Sequence, residues 1–187
     1  MSKEEILKQI HALAPWYFLV ELTPGIFTIP REQWATHWHT IITQDYMTRI
    51  LFPLIDMLNK KSPSDTTIMD IGCNEGWLSL IFQRMGFKRI VGIDPNEANI
   101  KKAEFLKKHF GLNNVEFILG DINNFKTTDK FDIAVMFGVI NHIHNPVGIL
   151  QNIHSFTNDY LILDLTLFVK IILRRQKRSG LTLTYHR

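Results

Sequence analysis

Two carboxylates, Asp70 and Asp94, each close a short run of strand character, and two glycines, Gly72 and Gly76, stand just beyond the first of them. Residues 68–71 are mostly apolar and residues 77–82 read as a buried helix, so this stretch is a strand, a tight turn and a helix N-terminus. Such a turn can cradle an anion and a ribose. Gly72 permits a sharp turn and close backbone approach, Gly76 lets the helix pack on the strand, and the free N–H groups of the helix start face a ligand. Asp70, at its strand end, can meet a ligand ammonium. A second strand, residues 89–93, ends in Asp94, the place where a doubly wound nucleotide fold takes up ribose hydroxyls on an acidic side chain. Alone, the glycine pair is weak evidence, because dinucleotide oxidoreductases and plain binding modules use the same turn.

Four stretches taken in order are more specific. Asp70-Ile71-Gly72-Cys73-Asn74-Glu75-Gly76, Gly92-Ile93-Asp94-Pro95, Gly120-Asp121-Ile122 and Phe131-Asp132-Ile133-Ala134-Val135 resemble the successive cofactor motifs of class I S-adenosylmethionine-dependent methyltransferases, over about residues 65 to 167. Asn74 stands where that family often has another glycine, a mild departure since Asn enters the left-handed region more readily than most residues. The resemblance implies S-adenosyl-L-methionine as cofactor, held by Asp70, Gly72, Cys73, Asn74, Gly76, Asp94 and Pro95. It further implies that Asp121 accepts from the adenine amino group, that Ile122 packs on the ring, and that Phe137 and Gly138 border the methionine end. Simpler readings stand beside these: Asp121 as a turn residue, and Cys73 as a small buried turn residue rather than a nucleophile.

In this family the loop after the fourth strand also borders the acceptor, which makes Asn141, His142 and His144 the candidate catalytic residues. A sulfonium donor already carries a good leaving group, so the protein must chiefly align the acceptor and exclude water. A hydroxyl acceptor gains from a base, and His142 is the first choice because imidazole as a residue type titrates near neutrality. A loop hydrogen bond is its plain alternative. His142 and His144 have no evident third ligand, so no metal is expected.

The chain of 187 residues, 45% hydrophobic, is long enough for one well-filled core and too short for two ordinary domains. The expected division is a cap and lead-in over residues 1–64 and the cofactor domain over residues 65–187. The net charge of +3 hides an asymmetry: six cations and no acid follow Asp164, leaving 15 basic against 18 acidic groups in residues 1–164. A nucleic-acid contact, tRNA included, would therefore come through the basic tail. One cysteine excludes an intrachain disulfide. With neither a signal-peptide pattern nor an apolar run near the ~20 residues of a membrane helix, a soluble cytoplasmic protein is expected.

The elements that must position these groups read as an α/β fold, a doubly wound, mostly parallel Rossmann-like sheet. Residues 3–13 form a short helix stopped by Pro15, and residues 16–29 read as two extended pieces about a Pro24-Gly25 turn. This segment loosely resembles the one ahead of the cofactor domain in relatives of the tRNA wobble-uridine carboxymethyltransferase, where it helps cover the acceptor pocket. Trp16 and Tyr17 are then pocket walls or plain packing, with neither reading favoured. Residues 31–61 read as a helix pair broken at Pro53, and His37 and His39, two apart, as surface or acceptor-side groups. The lysines Lys101, Lys102, Lys107 and Lys108 read as a solvated helix face with Glu97–Lys101 and Glu104–Lys108 pairs.

Past the fifth strand the chain reads as C-terminally short. Only 22 residues follow Leu165, whereas a helix and an antiparallel strand pair need about 40. Residues 181–185 alternate like a strand with no neighbour to follow, an edge expected to invite homo-oligomers. Three functions are open: methyl transfer to a small-molecule, sugar or lipid-linked acceptor; modification of a tRNA base; or a non-catalytic binding module. A nicotinamide oxidoreductase is a weaker fourth, disfavoured by Asp121 and Asn74.

Overall fold

The computed structural model describes residues 1–58, 61–165, 169–176 and 180–186. Helix α1 (Lys3–Leu13) opens on a capping box, in which the Glu5 N–H donates to Ser2 Oγ and the Ser2 N–H to the Glu5 carboxylate. A small antiparallel pair, β1 (Glu21–Thr23) and β2 (Ile26–Phe27), turns at Gly25. Helix α2 (Trp38–Leu58) is a single helix with Pro53 inside it, where the sequence led us to expect two. His37 lies just before that helix, and its ring stacks on His39 with 6.5 Å between centroids.

The main sheet then begins with β3 (Thr67–Ile71), followed by α3 (Trp77–Arg84), β4 (Arg89–Asp94), α4 (Glu97–Phe110), β5 (Val115–Leu119), β6 (Phe131–Phe137), α5 (Pro146–Phe156) and β7 (Thr157–Leu165). The last two strands are β8 (Val169–Gln176) and β9 (Gly180–His186). The seven strands run in the order β5-β4-β3-β6-β7-β8-β9, with parallel pairing from β5 to β7 and antiparallel pairing of β8 and β9. The sheet is thus Rossmann-like. One expectation is corrected here: the strand at residues 181–185 has an antiparallel neighbour, and that neighbour precedes it as β8. β9 has that neighbour on one side only and forms the edge of the described sheet. Among the tail cations, Lys177, Arg178 and Arg187 lie outside the described residues.

Alternate side chains of the central strands go to opposite faces, as the twofold strand period requires. Ile68, Ile90, Ile133 and Ile162 join α1, α2, α3 and α4 in one core, while Met69, Val91, Ala134 and Leu161 meet Ile149, Ile153 and Phe156 of α5 in the other. Both faces are covered, which is why these strands read as near-continuous apolar runs. The fourth motif's carboxylate, Asp132, works at the end of the sheet opposite the turn. It accepts from the Thr67 N–H and hydroxyl, each at 2.9 Å, and from Lys61 at 2.5 Å, tying β6 to β3. Burial pushes its pKa up, but the Lys61 and Thr67 donors outweigh that and hold it below the usual carboxylate range. Among the described residues, no helix is long and apolar enough to cross a membrane.

Candidate functional site

The carboxyl ends of β3 and β4 carry the turn. Gly72 and Cys73 N–H both donate to the Ile93 carbonyl, at 2.8 and 3.1 Å, so the chain doubles back sharply over β4. Gly72 has φ +72°, and a Cβ there would sit 2.2 Å from Val139 Cγ2, so no side chain fits beneath the loop that follows β6. Gly76, at φ +79°, would put a Cβ 2.7 Å from Phe117 and 2.9 Å from Ala103, which is the close helix–sheet packing its spacing implied. Asn74 takes φ +51° without being glycine and gives its N–H to Asp94 Oδ2 at 2.9 Å. Asp94 Oδ1 accepts from the Asn96 N–H at 2.9 Å and from Asn99 Nδ2 at 3.2 Å. Its carboxylate is thereby fixed at the strand end before any ligand arrives.

Asp70 is only 3% exposed, and Ser79 Oγ of α3 donates to it at 2.6 Å. Burial pushes its pKa up to about 7; the Ser79 bond opposes that rise, and the charge of Asp94 adds to it. Asp70 opens onto a cavity of about 580 Å³ shared with Gly72, Cys73, Asn74 and Leu78. Phe137, Gly138, Asn141, His142 and Asp164 line it from the ends of β6 and β7, and Tyr17, Phe18, Thr43 and Met47 close it from the N-terminal segment and α2. His142 belongs to a 3₁₀ turn, Ile140–His142.

The structure therefore gathers Asp70, Gly72, Cys73, Asn74, Phe137, Gly138, Asn141 and His142 around one space. The other expected residues lie outside its lining. Gly76 and Asp94 brace the turn, Pro95 is exposed beside it, and His144 is exposed past the 3₁₀ turn. Asp121 is exposed and accepts from the Asn123 N–H and side-chain amide at 2.9 and 2.7 Å, a local turn bond, while Ile122 is buried in the α5-side core. Among the described residues no group of three His, Cys, Asp or Glu side chains could hold a metal. Cys73 is buried with its thiol pKa pushed well up by desolvation and by the charges of Asp70 and Asp94, which keeps it unreactive.

Sequence reasoning missed the residues that hold the cap. Glu75, inside the glycine motif, faces away from the cavity and is 1% exposed. Its carboxylate accepts from the Tyr17 N–H at 2.8 and 2.9 Å and from the Phe18 N–H at 2.9 Å, and it pairs with Lys102 at 2.7 Å. Lys102 also donates to the Pro15 carbonyl and lies 5.6 Å from the Trp16 ring. This corrects the reading of Lys102 as part of a solvated face: it is 7% exposed, and Glu104 meets Lys107 rather than Lys108. Phe18 stacks on Trp77 at 5.5 Å, and Gln44 of α2 exchanges two hydrogen bonds of 3.1 Å with the Leu19 backbone. Trp16 is packing at 5% exposure, whereas Tyr17, 42% exposed, lines the cavity. Glu75 was visible only as an unexplained acid in a glycine turn, and Asp164 only as the acid ending the fifth parallel strand.

Comparison with known proteins gives one family. The model of the methyltransferase domain matches residues 62–174. The tRNA U34 carboxymethyltransferase of Helicobacter acinonychis is 27% identical over 158 residues, covering 82% of this chain and 54% of that protein. That of Campylobacter fetus subsp. fetus is 32% identical over 123 residues, covering 64% of this chain and 42% of the relative. The chain thus spans about half, or less, of the length of the curated relatives it matches. Among solved structures, the N-terminal domain of EvdMO1 with SAH bound has a TM-score of 0.72 at 22% identity, covering 96% of this chain and 76% of that one. Magnesium protoporphyrin IX methyltransferase from Synechocystis PCC 6803 with bound SAM has a TM-score of 0.57 at 20% identity, covering 66% and 59%. At those identities the likeness is one of fold.

Proposed function

This chain belongs to the class I S-adenosylmethionine-dependent methyltransferase family, and from that premise we propose that it binds S-adenosyl-L-methionine and methylates a hydroxyl of a small-molecule acceptor. The observation that carries the reading is the single cavity joining a buried carboxylate at the glycine turn to an imidazole at the β6 end. The residues present fit the cofactor. Asp70 supplies a desolvated anion for an ammonium, Gly72 turns the chain without a side chain beneath the loop after β6, and Asp94 stands braced for a ribose diol. Asp121 and Ile122 are the proposed adenine contacts. When bound, the cofactor supplies an activated methyl on a sulfonium. The protein's own part is to orient the acceptor between Asn141 and His142, take its proton on the His142 imidazole, and exclude water with the cap formed by residues 1–64. Such a reaction would run in the cytoplasm.

The test is calorimetry with S-adenosylhomocysteine. Asp94→Ala should weaken its binding at least tenfold, since two charge-assisted bonds to the diol, each worth about 1.5–3 kcal/mol, are lost. Tight NADH binding with none of S-adenosylhomocysteine would refute the cofactor assignment.

Asp70 adds a pH signature. Its folded pKa lies above the ordinary carboxylate value, so its protonated form is favoured in the unliganded fold, and its contribution to stability declines as pH rises toward about 7. A bound ammonium favours the charged form instead. Affinity should therefore rise up to about tenfold per pH unit below 7, flatten above it, and release a proton on binding; Asp70→Asn should abolish the slope. A flat affinity profile between pH 5 and 8 in the wild type would remove Asp70 from the ammonium site.

A second reading, methylation or carboxymethylation of a tRNA base, is favoured by the likeness to tRNA U34 carboxymethyltransferases. The acidic balance of residues 1–164 weighs against it. A third, a binding module without turnover, would show cofactor binding and no transfer to any acceptor.

A further inference from the structure

Residues 14–20 lie between α1 and β1 in neither helix nor strand, and two of them, Tyr17 and Phe18, line the cavity. An irregular segment must still find acceptors for its backbone N–H groups. Here four successive groups end on side chains from elsewhere: Tyr17 and Phe18 on Glu75, Leu19 on Gln44 and Val20 on Thr28. Glu75 is the one charged acceptor of the three, so its bonds are the strongest, and Lys102 neutralises it in a buried pair. Thr28 and Gln44 lie within residues 1–64, whereas Glu75 belongs to the glycine turn and Lys102 to α4, so this clasp ties the cap to the cofactor side of the molecule. Asn74, beside Glu75, lines the cavity, and Trp77, two residues on, stacks on Phe18. Residues 73–77 therefore present Cys73 and Asn74 to the cavity while Glu75 and Trp77 hold Tyr17 and Phe18 at that same cavity. A ligand seated against the turn meets those two residues only while the clasp is shut.

Resting on the S-adenosylmethionine reading, we infer that Glu75 is a positioning residue for cofactor binding: it fixes Tyr17 and Phe18 as a wall of the cofactor's site, so that filling the glycine turn and closing the cap are one coupled event. Glu75 acts through these two residues, because its carboxylate faces away from the cavity. The coupling is reciprocal. If the bound state requires the shut cap, ligand must make cap opening rarer in proportion to its concentration over its dissociation constant, and loosening the clasp must weaken the ligand.

The test is amide hydrogen exchange read by NMR under native conditions, where local opening dominates, with and without S-adenosylhomocysteine. It is run on wild type, Glu75→Ala and the double variant Glu75→Gln, Lys102→Met, with calorimetry for affinity at a temperature where circular dichroism shows each protein folded. In the wild type, protection of the Tyr17 and Phe18 amides should rise about a hundredfold at a ligand concentration about 100 times the dissociation constant. Glu75→Ala should exchange those amides at least tenfold faster without ligand and bind S-adenosylhomocysteine at least tenfold more weakly while still folded. The double variant, which removes both charges and keeps an amide oxygen, should return affinity to within about threefold of wild type. Should Glu75→Ala not fold, the wild-type exchange series decides alone. Protection that ignores the ligand in the wild type overturns the coupling, as does a Glu75→Ala protein that is less stable yet binds as wild type does, or a double variant no tighter than Glu75→Ala. A wild type that binds no S-adenosylhomocysteine refutes the cofactor reading itself and takes the coupling with it.

Discussion

Replacing Glu75 by alanine should destabilise the protein by about 3–5 kcal/mol, the range for breaking a buried ion pair from one side. Lys102, whose side chain is 9% exposed, would keep the Pro15 carbonyl and the Trp16 ring but no counter-charge, and the Tyr17 and Phe18 N–H groups would lose their acceptors. For a chain of this size the melting temperature should fall by roughly 6–20 °C. The double variant Glu75→Gln, Lys102→Met should regain most of the loss, because it removes both charges while leaving an amide oxygen for the Tyr17 N–H. Chemical denaturation of the two variants beside wild type measures this. A loss under about 1 kcal/mol in Glu75→Ala would mean that the cap is held by the apolar contacts of Trp16, Phe18 and Trp77 alone.

His142→Ala should reduce methyl transfer roughly 10²–10⁴-fold, the usual contribution of a general base, and leave S-adenosylhomocysteine affinity within about threefold. The separation follows from placement. His142 lines the cavity from the 3₁₀ turn, while the glycine turn and Asp70 that face the proposed cofactor are built from β3 and β4. Single-turnover transfer from labelled S-adenosylmethionine, read beside calorimetry, distinguishes the outcomes. Equal losses of affinity and rate would make His142 a support for the loop, and unchanged turnover would move the base elsewhere.

Most of the strand and helix order was legible because it rests on short-range patterns. The apolar runs of β3, β4, β6 and β7 are continuous because both faces of a parallel sheet are covered, and Gly72, Gly76 and Asp94 sit at fixed distances from strand ends whatever the rest of the chain does. Where one residue had to serve two distant segments, local pattern misled. Lys102 lies in a lysine run, yet its burial depends on residues 15–18 crossing α4, and Glu75 takes partners 57 and 58 residues upstream. The partner of β9 was missed for a related reason. β8 reads as apolar then basic, without the alternation of a half-covered strand, and its pairing with β7 and β9 is a matter of tertiary register.

The sequence by itself therefore determined the α/β architecture and the turn with its two flanking carboxylates, because glycine conformation and strand periodicity are local properties, while the family was legible through the resemblance of four ordered motifs. Only the tertiary structure decided that Tyr17, Thr43, His142 and Asp164 face one cavity and that Glu75 faces away from it. Which polar groups converge depends on how segments far apart in the chain satisfy one another's hydrogen bonds, and no short-range pattern of residues encodes that choice.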